Sequence, residues 1–423
     1  MIFVYRLLAN IFYPLFIILI FFRTFFGKED RKRYKEKILT SSFKPEKNKN
    51  KNLIWFHAAS IGEVKSIFPL IKELNSNIKK IEILITTVTL SAGKIVEKKM
   101  NKYENIKHRY FPIDVNFLIS NFLERWSPKL VVFVDSEVWP NLILEIKKRN
   151  ISLALVNGRI TKKSFKRWMY FSNFAKKIFN CFDLCLTSSK ESEDNLKKLN
   201  AANVKFIGNI KFSGDLKIDN FNNKNLLNLK KSKVWCAAST HDGEELLCIK
   251  AHIRLKKSYS SLKTIIVPRH IDRSEKINKI CIKHNLKSKI MNEHDAINVD
   301  DEIIIVNSFG KLNEFYYYSK SVFLGKSISK RFQNSGGQNP IEAAKLGCKI
   351  YHGPYVSNFA EIYSLLESYE ISKQIISDED LFKKLNEDFK IDKEINTGIT
   401  DKINDLGKNI LNSSVTELKR YII

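Results

Sequence analysis

The chain is 423 residues long, with 44% hydrophobic residues and a formal net charge of +27. That length has room for two domains of ordinary size, and the apolar fraction excludes disorder over most of it. The positive balance suits an anionic partner, but lysine, asparagine and isoleucine are common throughout, so local clusters say more than the total.

In chain order, residues 4–22 come first and are almost all apolar. At about 1.5 Å per residue they roughly match a bilayer core. Arg6, Asn10 and Pro14 interrupt the run, so a helix lying in the interface is an alternative to a span. Arg23, Lys28, Arg31, Lys32, Arg33, Lys35 and Lys37 follow. Positive flanks stay on the cytoplasmic side and grip acidic headgroups. Charge does not precede the apolar run and no small-residue cleavage site follows it, which argues against a signal peptide. Residues 1–40 therefore read as a membrane anchor with a basic flank.

Residues 41–52 read as a linker. Leu53–Ala58 is a buried strand, and a helix runs from about Glu63 to Leu74 with Val64, Ile67, Phe68, Ile71 and Leu74 on one face. Ile81–Val88 is a second strand, with Ser91 as cap of the next helix. Lys129–Val134 is a strand that ends at Asp135-Ser-Glu-Val-Trp-Pro140, where Pro140 suits a helix start. Leu153–Val156 ends at Asn157-Gly-Arg159. Leu184–Thr187 runs into Ser188-Ser-Lys-Glu191, a capping box. Lys205–Ile207 ends at Gly208-Asn-Ile-Lys211. The Asn- and Lys-rich residues 213–233 read as an interdomain linker. A second series starts at Val234, with strands at Lys263–Val267, Ile303–Val306, Val322–Leu324 and Lys349–Tyr351. Residues 378–421 read as helical and charged. The six cysteines lack metal-ligand spacing and read as small buried hydrophobes in a reducing compartment.

Each series opens with the same phrase. Residues 55–63 read Trp-Phe-His-Ala-Ala-Ser-Ile-Gly-Glu, and residues 235–244 read Trp-Cys-Ala-Ala-Ser-Thr-His-Asp-Gly-Glu. A strand, a tight loop and a helix start are written twice. This predicts two doubly wound α/β, Rossmann-like domains, 53–212 and 234–423, facing a shared cleft, with the last helix free to pack back on the first domain. The unusual residues sit just after strands, where ligands of parallel sheets bind.

Those residues carry recognisable chemistry. Glu63 is either a base that accepts a proton from an attacking hydroxyl or a carboxylate that stabilises its own helix N-terminus. Asp135 and Glu137 are an acidic pair at a strand end. Lys211 is a cation at another strand end, suited to developing negative charge. Arg269 offers a planar fork for phosphate or carboxylate. The Gly336-Gly337 loop leads into a helix whose first turn holds Glu342, and its N–H groups suit an anion.

Seven motifs in register, His57-Ala-Ala-Ser-Ile-Gly-Glu63, Asp135-Ser-Glu-Val-Trp-Pro-Asn141, Asn157-Gly-Arg159, Gly208-Asn-Ile-Lys-Phe212, Ser239-Thr-His-Asp-Gly-Glu-Glu245, Val267-Pro-Arg-His270 and Gly336-Gly-Gln-Asn-Pro-Ile-Glu342, resemble the 3-deoxy-D-manno-octulosonic acid (Kdo) transferases of lipid A assembly. The resemblance covers essentially the whole chain. It implies a glycosyltransferase type B fold and inverting transfer of Kdo from CMP-Kdo to a lipid A precursor, lipid IVA, in lipopolysaccharide core assembly. The implied place is the cytoplasmic face of the inner membrane. It assigns Glu63 as catalytic base, Asp135 to transition-state stabilisation and Lys211 to charge stabilisation. CMP binding falls to Pro268 and Arg269, to Gly310, Lys311 and Leu312, and to Asn339, Pro340, Ile341 and Glu342. No cofactor, metal or nucleic-acid partner is expected. The family usually has Glu at position 135, often an acid at 311, commonly His at 338 and glycine at 326, and Ala at 158. Here those positions hold Asp135, Lys311, Gln338, Lys326 and Gly158. The competing readings are a non-catalytic membrane-associated binding protein and a transferase of another nucleotide sugar.

Overall fold

In the computed structural model the described residues are 1–42, 50–100, 102–214, 216, 224–308, 310–391 and 396–422. Parts of both predicted linkers, 43–49 and 217–223, lie outside them. The chain divides into two compact units, residues 1–214 with 406–423, and residues 215–405.

Unit 1 is built on seven strands: β1 (Asn52–His57), β2 (Ile81–Thr87), β3 (Ile106–Tyr110), β4 (Leu130–Val134), β5 (Ser152–Gly158), β6 (Leu184–Thr187) and β7 (Val204–Phe206), in the order β3-β2-β1-β4-β5-β6-β7. Unit 2 has β8 (Lys233–Thr240), β9 (Leu262–Pro268), β10 (Ser288–Met291), β11 (Ile303–Val306), β12 (Ser321–Leu324), β13 (Lys349–His352) and β14 (Ser372–Gln374), in the order β10-β11-β9-β8-β12-β13-β14. Every neighbouring pair is parallel. Central strands are covered on both faces and so read as unbroken apolar runs: Leu53 through His57 and Leu130 through Val134 are all buried. Strand order reverses direction between β1 and β4 in unit 1, and between β8 and β12 in unit 2. These are the switch points at which adjoining loops part and leave a crevice.

The sequence misses β3, β10 and β14. All three are edge strands. An edge need not be apolar on both faces: β3 alternates buried and half-buried residues, with Lys107 and Arg109 on the open side. Two caps also shift. Thr89 Oγ1, rather than Ser91, accepts from Ala92 N–H at 3.3 Å, and Ser189, rather than Ser188, accepts from Ser192 N–H at 3.1 Å. The stretch Lys224–Lys231, inside the predicted linker, is a 3-10 turn packed on unit 2, with Leu226 and Leu229 buried and Asn228 donating to Ile297 O at 2.7 Å.

The chain begins with two helices, α1 (Ile2–Ile11) and α2 (Tyr13–Phe25). Pro14 fits the first turn of α2, where no N–H is needed. The pair is bent by 51°; among the described residues no single helix is long and apolar enough to cross a membrane, though the pair passes together by length and composition. α1 is fastened to unit 1. Tyr5 O–H donates to Asp114 at 2.9 Å and Arg6 pairs with Glu145 at 3.4 Å. Asp114 is buried and also accepts Asn141 and Leu142 N–H, both at 2.9 Å, at the start of the helix Pro140–Lys148. The outward faces of α1 and α2 carry Phe3, Leu7, Ile11, Leu15, Ile18, Leu19, Phe22 and Phe25, all exposed. Of the basic flank, Lys37 is buried against Glu29 at 2.5 Å, and Arg33 is used by Glu36, Glu97 and the carbonyl of His108. Lys28, Arg31, Lys32 and Lys35 are the exposed ones.

The residues predicted as one helical stretch, 378–421, form helices Asp378–Lys390 and Asn396–Lys419. The second belongs to unit 1 from Leu406 onward. Gly407 lies so close to the turn after β7 that a Cβ there would meet Phe212 O at 2.2 Å.

Candidate active site

Helix α3 (Ile61–Asn77) starts at the unit 1 switch point. Ser60 caps it by accepting Glu63 N–H at 3.4 Å. The Glu63 carboxylate turns back, accepting Ala59 N–H at 2.7 Å and Ser60 O–H at 2.7 Å. Glu63 therefore does close a capping box. It is only half-buried, and its proton affinity is raised: burial is the main cause, with the charges of Glu137 and Asp135 adding to it, against the lowering by Ser60 and Ala59. A carboxyl pushed upward is a better proton acceptor near neutral pH than an ordinary one.

The echo of this loop in unit 2 shows what a purely structural glutamate looks like. Glu244 is buried and accepts the backbone N–H groups of His241 (2.9 Å), Lys326 (2.8 Å), Ser327 (2.8 Å) and Ile328 (3.2 Å). Its carboxylate staples the loops after β8 and β12 together. Glu63, at the matching place, keeps a face toward solvent.

Across the unit 1 switch point stand Asp135 and Glu137. Asp135 has φ +65, a left-handed conformation that a side chain occupies at a cost of about 1–3 kcal/mol. So does Asn157, at φ +57 on the next strand end. The two meet: Asn157 Nδ2 donates to Asp135 Oδ1 at 3.2 Å, while Asn157 Oδ1 accepts Ile210 N–H at 3.0 Å. That second bond fixes the turn carrying Lys211, whose ammonium lies 3.2 Å from Asp135 Oδ2. Three of the predicted motifs thus converge on one ion pair, and the shorter Asp135 reaches Lys211 without a further methylene.

Glu137 contrasts with Glu63. Burial works to raise its pKa, but the neighbouring His57 and the indole N–H of Trp139 (2.8 Å) outweigh it and hold Glu137 below the ordinary carboxylate range. His57 is fully buried on β1. Its Nε2 is 3.3 Å from Glu137, its Nδ1 is 2.9 Å from Thr86 Oγ1, and its ring stacks on Phe111 at 3.9 Å. Two carboxyl groups in one crevice are thus pushed apart, one toward accepting a proton and one toward staying ionised. Sequence reasoning missed the part of His57 and Glu137 in this, although both lie inside the quoted motifs.

In unit 2 the predicted CMP-binding residues all follow strands or open a helix at the carboxyl edge of the sheet. Pro268 ends β9 and is buried; Arg269 is exposed, its N–H donating to Thr240 O at 3.0 Å. Gly310, at φ +88, and Lys311 follow β11, and Leu312 opens the helix Leu312–Tyr318; the Lys311 ammonium donates to Glu293 O. Asn339 Oδ1 accepts Ile341 N–H at 3.2 Å, Pro340 precedes the short helix Ile341–Lys345, and Glu342 is half-buried in its first turn. The Gly336-Gly337 loop does not offer every N–H to a ligand, since Gly337 N–H donates to Lys326 O at 2.8 Å. Among the described residues no group of three or more His, Cys, Asp or Glu side chains is placed to hold a metal ion.

Residues 32–214 match the family model described as 3-deoxy-D-manno-octulosonic-acid transferase (kdotransferase). The chain is 31% identical over 385 residues to the 3-deoxy-D-manno-octulosonic acid transferase of Rickettsia bellii, covering 90% of this chain and 89% of the relative. It is 28% identical over 346 residues to the enzyme of that name from Haemophilus influenzae, covering 81% and 80%. A glycosyltransferase crystal structure from Rickettsia africae shares the fold with a TM-score of 0.57 at 13% identity, covering 88% of this chain and 99% of that one. Its likeness speaks for the type B glycosyltransferase fold alone. With 31% identity and a coverage of nine-tenths of both chains by that Rickettsia bellii relative, the chain belongs to the Kdo transferase family of glycosyltransferases.

Proposed function

We propose that the chain transfers Kdo from CMP-Kdo to a lipid A precursor, lipid IVA, in lipopolysaccharide core assembly, with inversion at the anomeric carbon. An acceptor hydroxyl gives its proton to the Glu63 carboxylate as its oxygen bonds the anomeric carbon. The bond from that carbon to the CMP phosphate oxygen breaks, and CMP leaves with the electron pair. Lys211, held by Asp135, and Arg269 offset the charge that develops, and transfer needs no added metal. The observation that carries this reading is Glu63, a half-buried carboxyl raised in pKa beside ionised Glu137.

The place of action is proposed with it. The exposed apolar faces of α1 and α2, with Lys28, Arg31, Lys32 and Lys35 beside them, support seating of the protein on the cytoplasmic side of the inner membrane. Such a surface brings a phosphorylated, acylated acceptor to unit 1.

The test is incubation with CMP-Kdo and lipid IVA, followed by mass spectrometry of the lipid. The wild type is expected to add the mass of Kdo. Glu63→Gln, which keeps the shape and a capping acceptor, is expected to lose about 10²–10⁴ in rate. Equal rates for the two proteins would remove Glu63 as base.

A further inference from the structure

Helix Pro140–Lys148 opens directly after the segment that carries Glu137 and Trp139, yet its own cap residue, Trp139, makes no side-chain capping bond. The cap comes from a distant loop, the one after β3. Asp114 Oδ2 accepts Asn141 N–H and Oδ1 accepts Leu142 N–H, both at 2.9 Å, and Asn141 Nδ2 donates to Asp114 O at 2.6 Å. Acceptance from the second and third N–H groups of a helix is what a capping side chain ordinarily supplies. The remaining donor on that carboxylate is Tyr5 O–H, at 2.9 Å. The neighbouring Arg6 reaches Glu145 on the same helix at 3.4 Å. Two consecutive residues of α1 thus hold one helix of unit 1 at two points.

The turn held in this way adjoins the site. Trp139 donates its indole N–H to Glu137 at 2.8 Å, and its ring packs on Phe111 with centroids 5.1 Å apart, which in turn stacks on His57. The basic flank makes a second attachment, on the Glu63 side. The Lys37 ammonium donates to Val88 O at 2.7 Å. The Val88 and Thr89 N–H groups both reach Ala59 O at 3.4 Å, and Ala59 N–H holds Glu63. A membrane tether needs only the outward apolar faces of α1 and α2. These inward contacts lead instead to the loops that hold the two carboxyl groups.

We propose that α1 is a positioning element of the reaction as well as an anchor: Tyr5, through Asp114 and the first turn of helix Pro140–Lys148, sets Trp139 and with it Glu137 in the crevice of Glu63. The idea rests on the proposed transfer and on the part of Glu63 and Glu137 in it. Tyr5 touches no reacting atom, so it is a positioning residue. Its loss loosens the capped turn, and a small displacement of an aligned group slows chemistry more than it weakens binding.

The test uses the full chain in detergent micelles, where seating on a bilayer makes no demand, with CMP-Kdo and lipid IVA as substrates. Both KM values and kcat are measured for wild type, Tyr5→Phe, Glu137→Gln and the double variant. Tyr5→Phe keeps the ring beside Phe174 and removes only the O–H. It is expected to lower kcat about three- to tenfold, with both KM values within about twofold. In the Glu137→Gln background the same change is expected to cost less than about twofold, because the group it aligns is already altered. Hydrogen exchange of the Asn141 and Leu142 amides is expected to quicken in Tyr5→Phe. An unchanged kcat in Tyr5→Phe would overturn the proposal. So would a raised KM for lipid IVA at unchanged kcat, which would leave α1 as a device for delivering acceptor. The full Tyr5→Phe effect persisting in the double variant would overturn it too. A wild type that adds no Kdo would sink the proposed transfer instead; exchange at Asn141 and Leu142 would then judge the positioning alone, and unchanged exchange would end it.

Discussion

A single carboxyl group, Glu63, closes a helix cap and is the proposed proton acceptor of its crevice, and the difference from Glu244 lies in partners rather than in sequence. Glu244 is saturated by four backbone donors, whereas Glu63 has two donors and a half-open face. Because burial and the charge of Glu137 raise the Glu63 pKa, the proposed base loses its working form as pH falls through a value above the ordinary carboxylate range. The acid limb of kcat/KM is therefore expected above about pH 4.5. Glu137→Gln removes a nearby negative charge, which eases ionisation of Glu63 and is expected to move that limb toward lower pH. A pH–rate profile of the variant checks it, and an unmoved limb would show that Glu137 is only a structural partner of His57. Glu63, Asp135 and Lys211 were legible as candidates because each follows a strand. The Asp135–Asn157–Ile210 relay was not, since it depends on two left-handed residues whose conformation no residue pattern announces.

Among the elements, central strands were readable because burial on both faces forces an apolar run, and edge strands were not because that demand is halved. The same reasoning applies to the first helix. Arg6, which spoils the apolar run as a sequence, is the residue that pairs α1 with Glu145 on the body of unit 1. Tyr5 completes the attachment through Asp114. Tyr5→Phe leaves that buried carboxyl with one donor fewer, which costs about 1.5–3 kcal/mol where the partner is charged. Hydrogen exchange over residues 2–11, in detergent, is expected to speed up by roughly ten- to a hundredfold in Tyr5→Phe, while amides of β1 and β4 keep their protection. Unchanged exchange in α1 would mean that other contacts hold the helix. The closing helix, Asn396–Lys419, allows a sharper comparison. Replacing a helical glycine by alanine ordinarily stabilises by roughly 0.5–1 kcal/mol. Gly398 has nothing within 4 Å of a Cβ and should follow that rule, whereas a Cβ on Gly407 meets a backbone oxygen beside Lys211. Gly398→Ala is expected to raise the unfolding midpoint. Gly407→Ala is expected to lower it and to reduce kcat with it, as the Lys211 turn is displaced.

At the scale of the whole molecule, the net charge of +27 falls mostly on unit 1, and some of the charged groups are internal. Lys37 lies buried against Glu29, and Lys263 is buried with its ammonium on the carbonyls of Asn298, Val299 and Asp301. Counting charges from composition therefore overstates what a partner meets. The two doubly wound halves were legible from the repeated opening phrase, and the sequence left open that the last helix packs back on the first half, to which residues from Leu406 onward belong. That path makes the boundaries interlaced. The matched family region stops at residue 214, yet Ile410, Ser414, Leu418 and Ile422 are buried and belong to the first half. One cut in the gene cannot separate the halves. A product ending at Gly214 is expected to be recovered as aggregate, and co-expression with a peptide spanning 400–423 is expected to bring it into solution; a soluble, cooperatively unfolding product from residues 1–214 alone would show that the tail is dispensable.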